Sequence, residues 1–274
     1  MTETHAWKAE DFAQVNAPHV KTALAALQLT GDALERGGAF AEIGCGTGEV
    51  ARFVAERGFD VWASDASQSM VEATRKLCDG LPVTAEVRPA EQLQFDEGRF
   101  DIIHSSWVLH WVTEIDEPLR RVARGLRPGG YVVLQWTGAH PRRQGPGMFG
   151  ILREIAGSPK WKDLLAEAQP ESYEYPADEV AKVLEAAGLE LVHYVPELPH
   201  PFSAKKTLAD LPEMRERYKL AGFATQAAAL GDRGDEFVDE VLTAMIQAGR
   251  TDPHHARIVA RRPAATSHRR VLPA

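Results

Sequence analysis

The chain has 274 residues, of which 44% are hydrophobic and 26% charged, and its formal net charge is −8. That length and balance suit a folded domain with a sizeable core and insertions. The acidic balance argues against a nucleic-acid partner, because phosphate backbones require a basic surface.

No stretch reaches the roughly 18 apolar residues of a membrane span, so no membrane partner is expected. The opening MTETHAWKAEDF lacks the basic-then-apolar pattern of a secretory signal. Two cysteines, Cys45 and Cys78, have no metal-ligand spacing and make no disulfide framework. A cytoplasmic protein without a metal is the expectation.

Residues 8–35 read as one helix, since Val15, Val20, Ala23, Leu24 and Leu27 recur at helical spacing and Gly31 ends the pattern. AFAEIG (39–44) reads as a buried strand and GEVARFVAERG (48–58) as a helix stopped by Gly58. DVWASD (60–65) is a second strand. SQSMVEATRKLC (67–78) is a helix with Ser67 at its N-cap. Residues 83–95 give a third strand and a loop, 99–108 a fourth strand, and 117–136 helix, turn and strand. Strand and helix thus alternate through 39–136, the rhythm of βαβ units in a parallel sheet covered on both faces. Residues 137–176 break the rhythm, 177–195 restore it, 204–250 are helical, and 255–263 form a last strand.

The expected organisation follows. Residues 1–136 supply an N-terminal helix and the ligand-binding half of the sheet. Residues 137–176 are an insertion, 177–198 a core helix and strand, 199–250 a helical insertion, 251–263 the last strand, and 264–274 a tail. The two insertions are expected to lie over one edge of the sheet as a cap.

In such a sheet a ligand sits beyond the carboxyl ends of the strands, where strand order reverses. The first strand and its turn, EIGCGTG (42–48), occupy that point. Gly44, Gly46 and Gly48 bring bare backbone to the ligand. A dinucleotide site wants glycine where this chain has Glu49, and a carboxylate there repels a pyrophosphate. Glu42 adds a second negative group. Two acids around a glycine loop suit a cationic ligand. Asp65 ends the second strand and can accept both hydroxyls of a ribose.

EIGCGTG resembles the first motif of the class I S-adenosylmethionine-dependent methyltransferases. FDII (100–103) and LRPGG (126–130) resemble their later motifs. The resemblance implies a Rossmann-like, doubly wound, mostly parallel seven-stranded α/β sheet with S-adenosylmethionine as cofactor. It implies that the loop, with Cys45, holds the amino-acid part, that Asp65 and Ala66 lie at the ribose, and that Met70 packs on adenine. Many relatives carry an Asp after the third strand where this chain has Pro89. Ala90 and Glu91 are expected to serve near the adenine instead, and Ser105 near the cofactor at the end of the fourth strand.

The acceptor is expected after that strand, in SSWVLHWVTEID (105–116), where Trp107, His110 and Trp111 cluster. LHWV resembles small-molecule carboxylate methyltransferases, the trans-aconitate and juvenile hormone acid enzymes among them. In the latter a Gln near the N-terminus and a Trp after strand four hold a carboxylate, and Gln14 and Trp111 match. Indole and amide groups donate and cannot take a proton, which suits an acceptor already ionised. His110 orients the acceptor or acts as a base near neutral pH. His104, inside the strand, reads as structural, and His140 and His200 are further candidate bases. Trp136, Trp161, Tyr173, Tyr175, Phe202, Met214, Tyr218 and Phe223 line an acceptor pocket or form the cap's own core. The expected activity is methylation of a small molecule, on oxygen and preferably on a carboxylate. N-, C- or phenolic O-methylation with a histidine base, an NAD-dependent oxidoreductase and a non-catalytic binding protein are the alternatives.

Overall fold

The computed structural model describes residues 9–13, 16–138, 145–198, 206–220, 222–251 and 255–264. Seven strands form one sheet in the order β3-β2-β1-β4-β5-β7-β6. They are β1 (Gly38–Ile43), β2 (Phe59–Asp65), β3 (Val83–Val87), β4 (Phe100–Ser106), β5 (Leu126–Thr137), β6 (Glu190–Leu198) and β7 (His255–Arg261). β1 to β5 run parallel, and β7 is antiparallel to both β5 and β6. The order reverses between β1 and β4, which puts the crevice beyond the end of β1.

The N-terminal segment is not one helix. It divides into α1 (Ala9–Ala13), α2 (Ala17–Leu27) and, after a 3₁₀ turn and Gly31, α3 (Asp32–Glu35). Pro18 in the first turn of α2 is the physical reason, since proline starts helices and does not continue them. The remaining helices are α4 (Glu49–Ala55), α5 (Gln68–Leu77), α6 (Asp116–Gly125), α7 (Met148–Ala156), α8 (Ala177–Ala186), α9 (Leu211–Leu220), α10 (Ala224–Leu230) and α11 (Gly234–Gln247). Ser67 holds the N-cap position of α5, but its side chain makes no capping bond. Its backbone N–H donates to Asp65 Oδ1 at 3.0 Å, and its hydroxyl pairs with that of Ser69.

Strand alternation separates two cores. Phe40, Ile102, Val133 and Val259 face α2, α4 and α5, together with Phe59 and Val61. Ala41, Ile43, Ile103, Val132 and Leu134 face α6 and α8. A third core joins the two insertions: Phe149, Leu152 and Trp161 pack with Met214, Phe223, Phe237 and Leu242. Trp161 and Phe223 are fully buried there, so these aromatics are the cap's own core. Trp136 belongs to the sheet, and its indole N–H donates to the Tyr175 carbonyl at 2.9 Å. Trp111 packs against the cap core, and the Tyr173 N–H donates to the His110 carbonyl at 2.7 Å. The turn after β4 is therefore where cap and sheet meet. Phe202 lies outside the described residues. Among those residues, no helix is long and apolar enough to cross a membrane.

Candidate active site

β1 delivers the chain into Gly44–Gly48, and the three glycines have three different reasons to be there. Gly44 (φ 74°) has no room for a side chain: a Cβ would stand 2.1 Å from Val108 Cγ2. Its N–H and that of Cys45 donate to the Ser64 carbonyl at 2.7 and 2.9 Å, pinning the loop to β2. Gly48 (φ 94°) lets α4 close on α5, since a Cβ would meet Thr74 Cα at 2.9 Å. Gly46 (φ 54°) would meet only the Phe12 ring, at 3.4 Å. Gly44, Cys45 and Gly46 line one cleft. Gly48, expected at the ligand, does not line it, because its role is the helix contact.

Glu42 sits at the floor of this cleft, 3% exposed. Parallel pairing sets it beside His104, with Oε1 3.5 Å from Nδ1. Its Oε2 is buried and, among the described residues, has no hydrogen-bond partner. Burial raises the Glu42 carboxyl above its ordinary range, and Glu49 and Asp65 add to the rise. An unsatisfied buried carboxylate oxygen beside two more carboxylates is a demand for a cation.

Asp65 ends β2. Its Oδ2 accepts the Gly46 N–H at 3.0 Å, which ties the ribose-type carboxylate to the loop. Burial raises its pKa against hydrogen bonds from Ser67, Gly46 and Ala66. Ala66, Met70 and Ala90 line the cleft, with Arg88 beside them. Glu91 does not: its side chain is exposed on a 3₁₀ turn, outside the cleft wall. Ser105 is also off the cleft. Alternation along β4 turns its hydroxyl to the Ile43 carbonyl at 3.1 Å, and His104 and Ser106 are the residues presented instead. Burial pushes the Cys45 thiol well above its ordinary value, so it is no nucleophile.

The N-terminal segment covers the cleft with Phe12, Asn16, His19, Val20 and Ala23. Asn16 is the tie: its amide donates to Thr47 Oγ1 at 2.9 Å and Glu49 Oε1 at 3.1 Å. The helical periodicity of 8–35 marked this segment as packed but gave no sign of what it packs on. Gln14 lies outside the described residues, as do His140 and His200.

At the end of β4, Trp107, Val108 and Trp111 complete the wall. Trp107 is the one described non-glycine residue at positive φ (66°), a backbone strain of the kind that clusters at binding sites. Its ring lies between His19 and His255, at centroid distances of 4.9 and 4.1 Å. Burial, then the Arg217 charge, hold His19 down at a pKa of about 4. His110 does not reach the cleft. It is 5% exposed and stacks on Phe149 of α7, and its Nδ1 accepts the Thr137 N–H at 3.4 Å. The 3₁₀ turn after Val108 points alternate residues in different directions, Trp111 to the cleft and His110 to the cap.

Comparison with known proteins agrees with this geometry. Residues 41–134 match the family described as a methyltransferase domain. An uncharacterized methyltransferase of Mycobacterium tuberculosis is 35% identical over 118 residues, 42% of this chain and 43% of the relative. A ubiquinone/menaquinone biosynthesis C-methyltransferase of Neisseria meningitidis is 28% identical over 153 residues, 54% of this chain and 61% of the relative. The chain thus spans about half the length of these relatives. The crystal structure of Haemonchus contortus phosphoethanolamine N-methyltransferase 2 with S-adenosyl-L-methionine shares the fold. Its TM-score is 0.64 at 18% identity, over 93% of this chain and 56% of that one. The unsatisfied Glu42 oxygen, the bare loop and the Asp65 carboxylate fit a cationic sulfur nucleoside. Over residues 41–134 the chain is thus similar to a methyltransferase domain, on a fold it shares with an S-adenosyl-L-methionine-binding methyltransferase.

Proposed function

We propose that the chain methylates an oxygen of a small molecule, a carboxylate in preference. Glu42, Gly44, Cys45, Gly46, Asp65, Ala66, Met70 and Ala90 would hold S-adenosylmethionine, with Thr47 and Glu49 bound to the Asn16 cover. When bound, that cofactor supplies an electrophilic methyl group on a positively charged sulfur. The chain's own tasks are to orient the acceptor, exclude water and take up a proton where the acceptor carries one.

The weakness of the available base carries the carboxylate reading. His19 lines the cleft beside Trp107, and burial holds its pKa down at about 4. Taking the proton of a phenol of pKa about 10 leaves so weak a base with a large proton-transfer deficit. A carboxylic acid near 4 has no such deficit and is ionised at neutral pH. His110, the expected base, is turned into the cap. Trp107 and Trp111 line the cleft, and an indole N–H can donate but cannot accept a proton, which suits an anionic oxygen. The LHWV resemblance to trans-aconitate and juvenile hormone acid methyltransferases points the same way. N-, C- or phenolic O-methylation with a histidine base is the second reading, favoured by the likeness to a C-methyltransferase.

The test is transfer of labelled methyl to a panel of small carboxylic acids, phenols and amines. The carboxylate reading expects label that mild alkali releases as methanol. Label stable to alkali, or incorporation into macromolecules alone, overturns it.

A further inference from the structure

The floor of the cleft contains a second polar group that cofactor holding does not by itself explain. Glu42 and His104 stand side by side on neighbouring strands, 3% and 1% exposed. Oε1 and Nδ1 are 3.5 Å apart, and His104 Nε2 is 2.8 Å from Ser106 Oγ. The imidazole is therefore oriented by Ser106 at one nitrogen and turned to the carboxylate at the other. Glu42 Oε2 has no partner among the described residues, and Glu42 lines the cleft.

Three carboxylates converge here. Glu49 from α4 and Asp65 from β2 are the other charged groups facing Glu42, and the Cys45 thiol adjoins them. Phe40 packs against His104 on the same strand face, with ring centroids 6.3 Å apart. Asn16 and Thr47 donate to Glu49, and backbone N–H groups donate to Asp65. Glu42 has only His104. A buried charge without a counter-charge is expensive, and a proton on Glu42 removes that cost.

We propose that Glu42, with His104 set beside it, holds one proton in the ligand-free protein and releases it to solvent when the ammonium group of the sulfur nucleoside arrives. The balance is simple. One proton leaves Glu42 for solvent, and the ammonium cation takes over neutralisation of the Glu42 carboxylate. His104 is on this view a positioning residue. It stands 3.5 Å from the Glu42 carboxylate and orients that group at the floor of the cleft. The inference rests on the reading of the cleft as a sulfur-nucleoside site and adds a proton inventory to it.

The measurement is calorimetric titration of S-adenosylhomocysteine, which carries the same ammonium group. It is run between pH 5.5 and 7 in buffers of different ionisation enthalpy. An α-amino group keeps its own proton in that range. The expected result is an observed enthalpy that varies with the buffer, corresponding to release of up to one proton. Affinity should rise up to tenfold per pH unit while Glu42 remains protonated, then level off. His104→Gln should bind with proton release reduced by at least half, and Glu42→Gln should bind weakly with none. Wild-type binding with no buffer dependence overturns the inference while leaving the nucleoside site intact. So does undiminished proton release in a folded His104→Gln. Failure of the wild-type chain to bind the nucleoside overturns the site reading itself, and this inference with it.

Discussion

Replacing Gly46 and Gly48 by alanine separates a glycine kept for a ligand from one kept for packing. At Gly46, φ is 54°, within the small left-handed region that L-residues tolerate, and the nearest atom to a new Cβ is a movable ring carbon at 3.4 Å. The cost to the fold is the left-handed strain alone, about 1 kcal/mol. At Gly48, φ is 94° and a new Cβ meets Thr74 Cα at 2.9 Å and its Oγ1 at 3.0 Å. That is backbone, not a flexible tip, so α5 must shift. The Thr74 hydroxyl bond to the Gly46 carbonyl, 2.9 Å long, is strained with it. Adding overpacking of about 1–3 kcal/mol to the φ strain gives about 2–5 kcal/mol. At roughly 2–4 °C per kcal/mol for a chain of this size, Gly46→Ala should melt about 2–4 °C lower and Gly48→Ala about 4–20 °C lower. Thermal denaturation by circular dichroism reads the stability, and S-adenosylhomocysteine calorimetry reads the site. Gly46→Ala is expected to lose nucleoside affinity out of proportion to its stability, because its Cβ enters the cleft. Gly48→Ala at low temperature is expected to retain most of it. The reasoning is refuted if Gly48→Ala melts like wild type yet no longer binds, or if Gly46→Ala unfolds early and binds normally.

Glu42→Gln should weaken nucleoside binding by about 10–100-fold, the worth of a charge-assisted contact, while the ligand-free protein melts no lower at pH 8 than wild type. The sign follows from burial. The folded carboxyl is raised above its ordinary 4.5. Its contribution to stability is therefore full below that value and is lost as pH rises through the folded pKa. Parallel melts of the two proteins from pH 4 to 8 check this, and a wild type that gains on the variant with rising pH would contradict it. His110→Ala should lower the melting temperature by loss of its stack on Phe149, with a pH–rate profile unchanged in shape and no rescue at high pH. Recovery of rate at high pH would make His110 a base after all. Asn16→Ala should weaken nucleoside binding about tenfold, since Thr47 and Glu49 lose their tie to the N-terminal cover; unchanged affinity would place the cover outside the site's energetics. Trp107→Ala should cut kcat/KM for the acceptor by tenfold or more with nucleoside affinity retained, measured by initial rates and calorimetry on one preparation.

Much of this protein is legible in one dimension. Strand–helix alternation over 39–136 dictates parallel pairing, and the run from Glu42 to Glu49 announces a bare loop between acids. Those features are local: periodicity, glycine's freedom at positive φ and the charge of neighbours act within a few residues of chain. What the sequence could not settle are directions and long-range neighbours. Residues Ser105 and Ser106 are the same amino acid, and only the pleat of β4 decides which one meets the cleft. His110 and Trp111 are adjacent, and only the 3₁₀ turn against α7 sends one into the cap and leaves the other at the site. Gly46 and Gly48 are indistinguishable in a motif until α5 brings Thr74 under one and not the other. The Glu42–His104 pair spans 62 positions of chain, and strand register alone sets the two side by side. Asn16, 31 residues before Thr47, finds it only because α2 lies across the mouth of the sheet. Local chemistry determined what kind of site this is; packing, which is non-local and cooperative, decided which side chains furnish it.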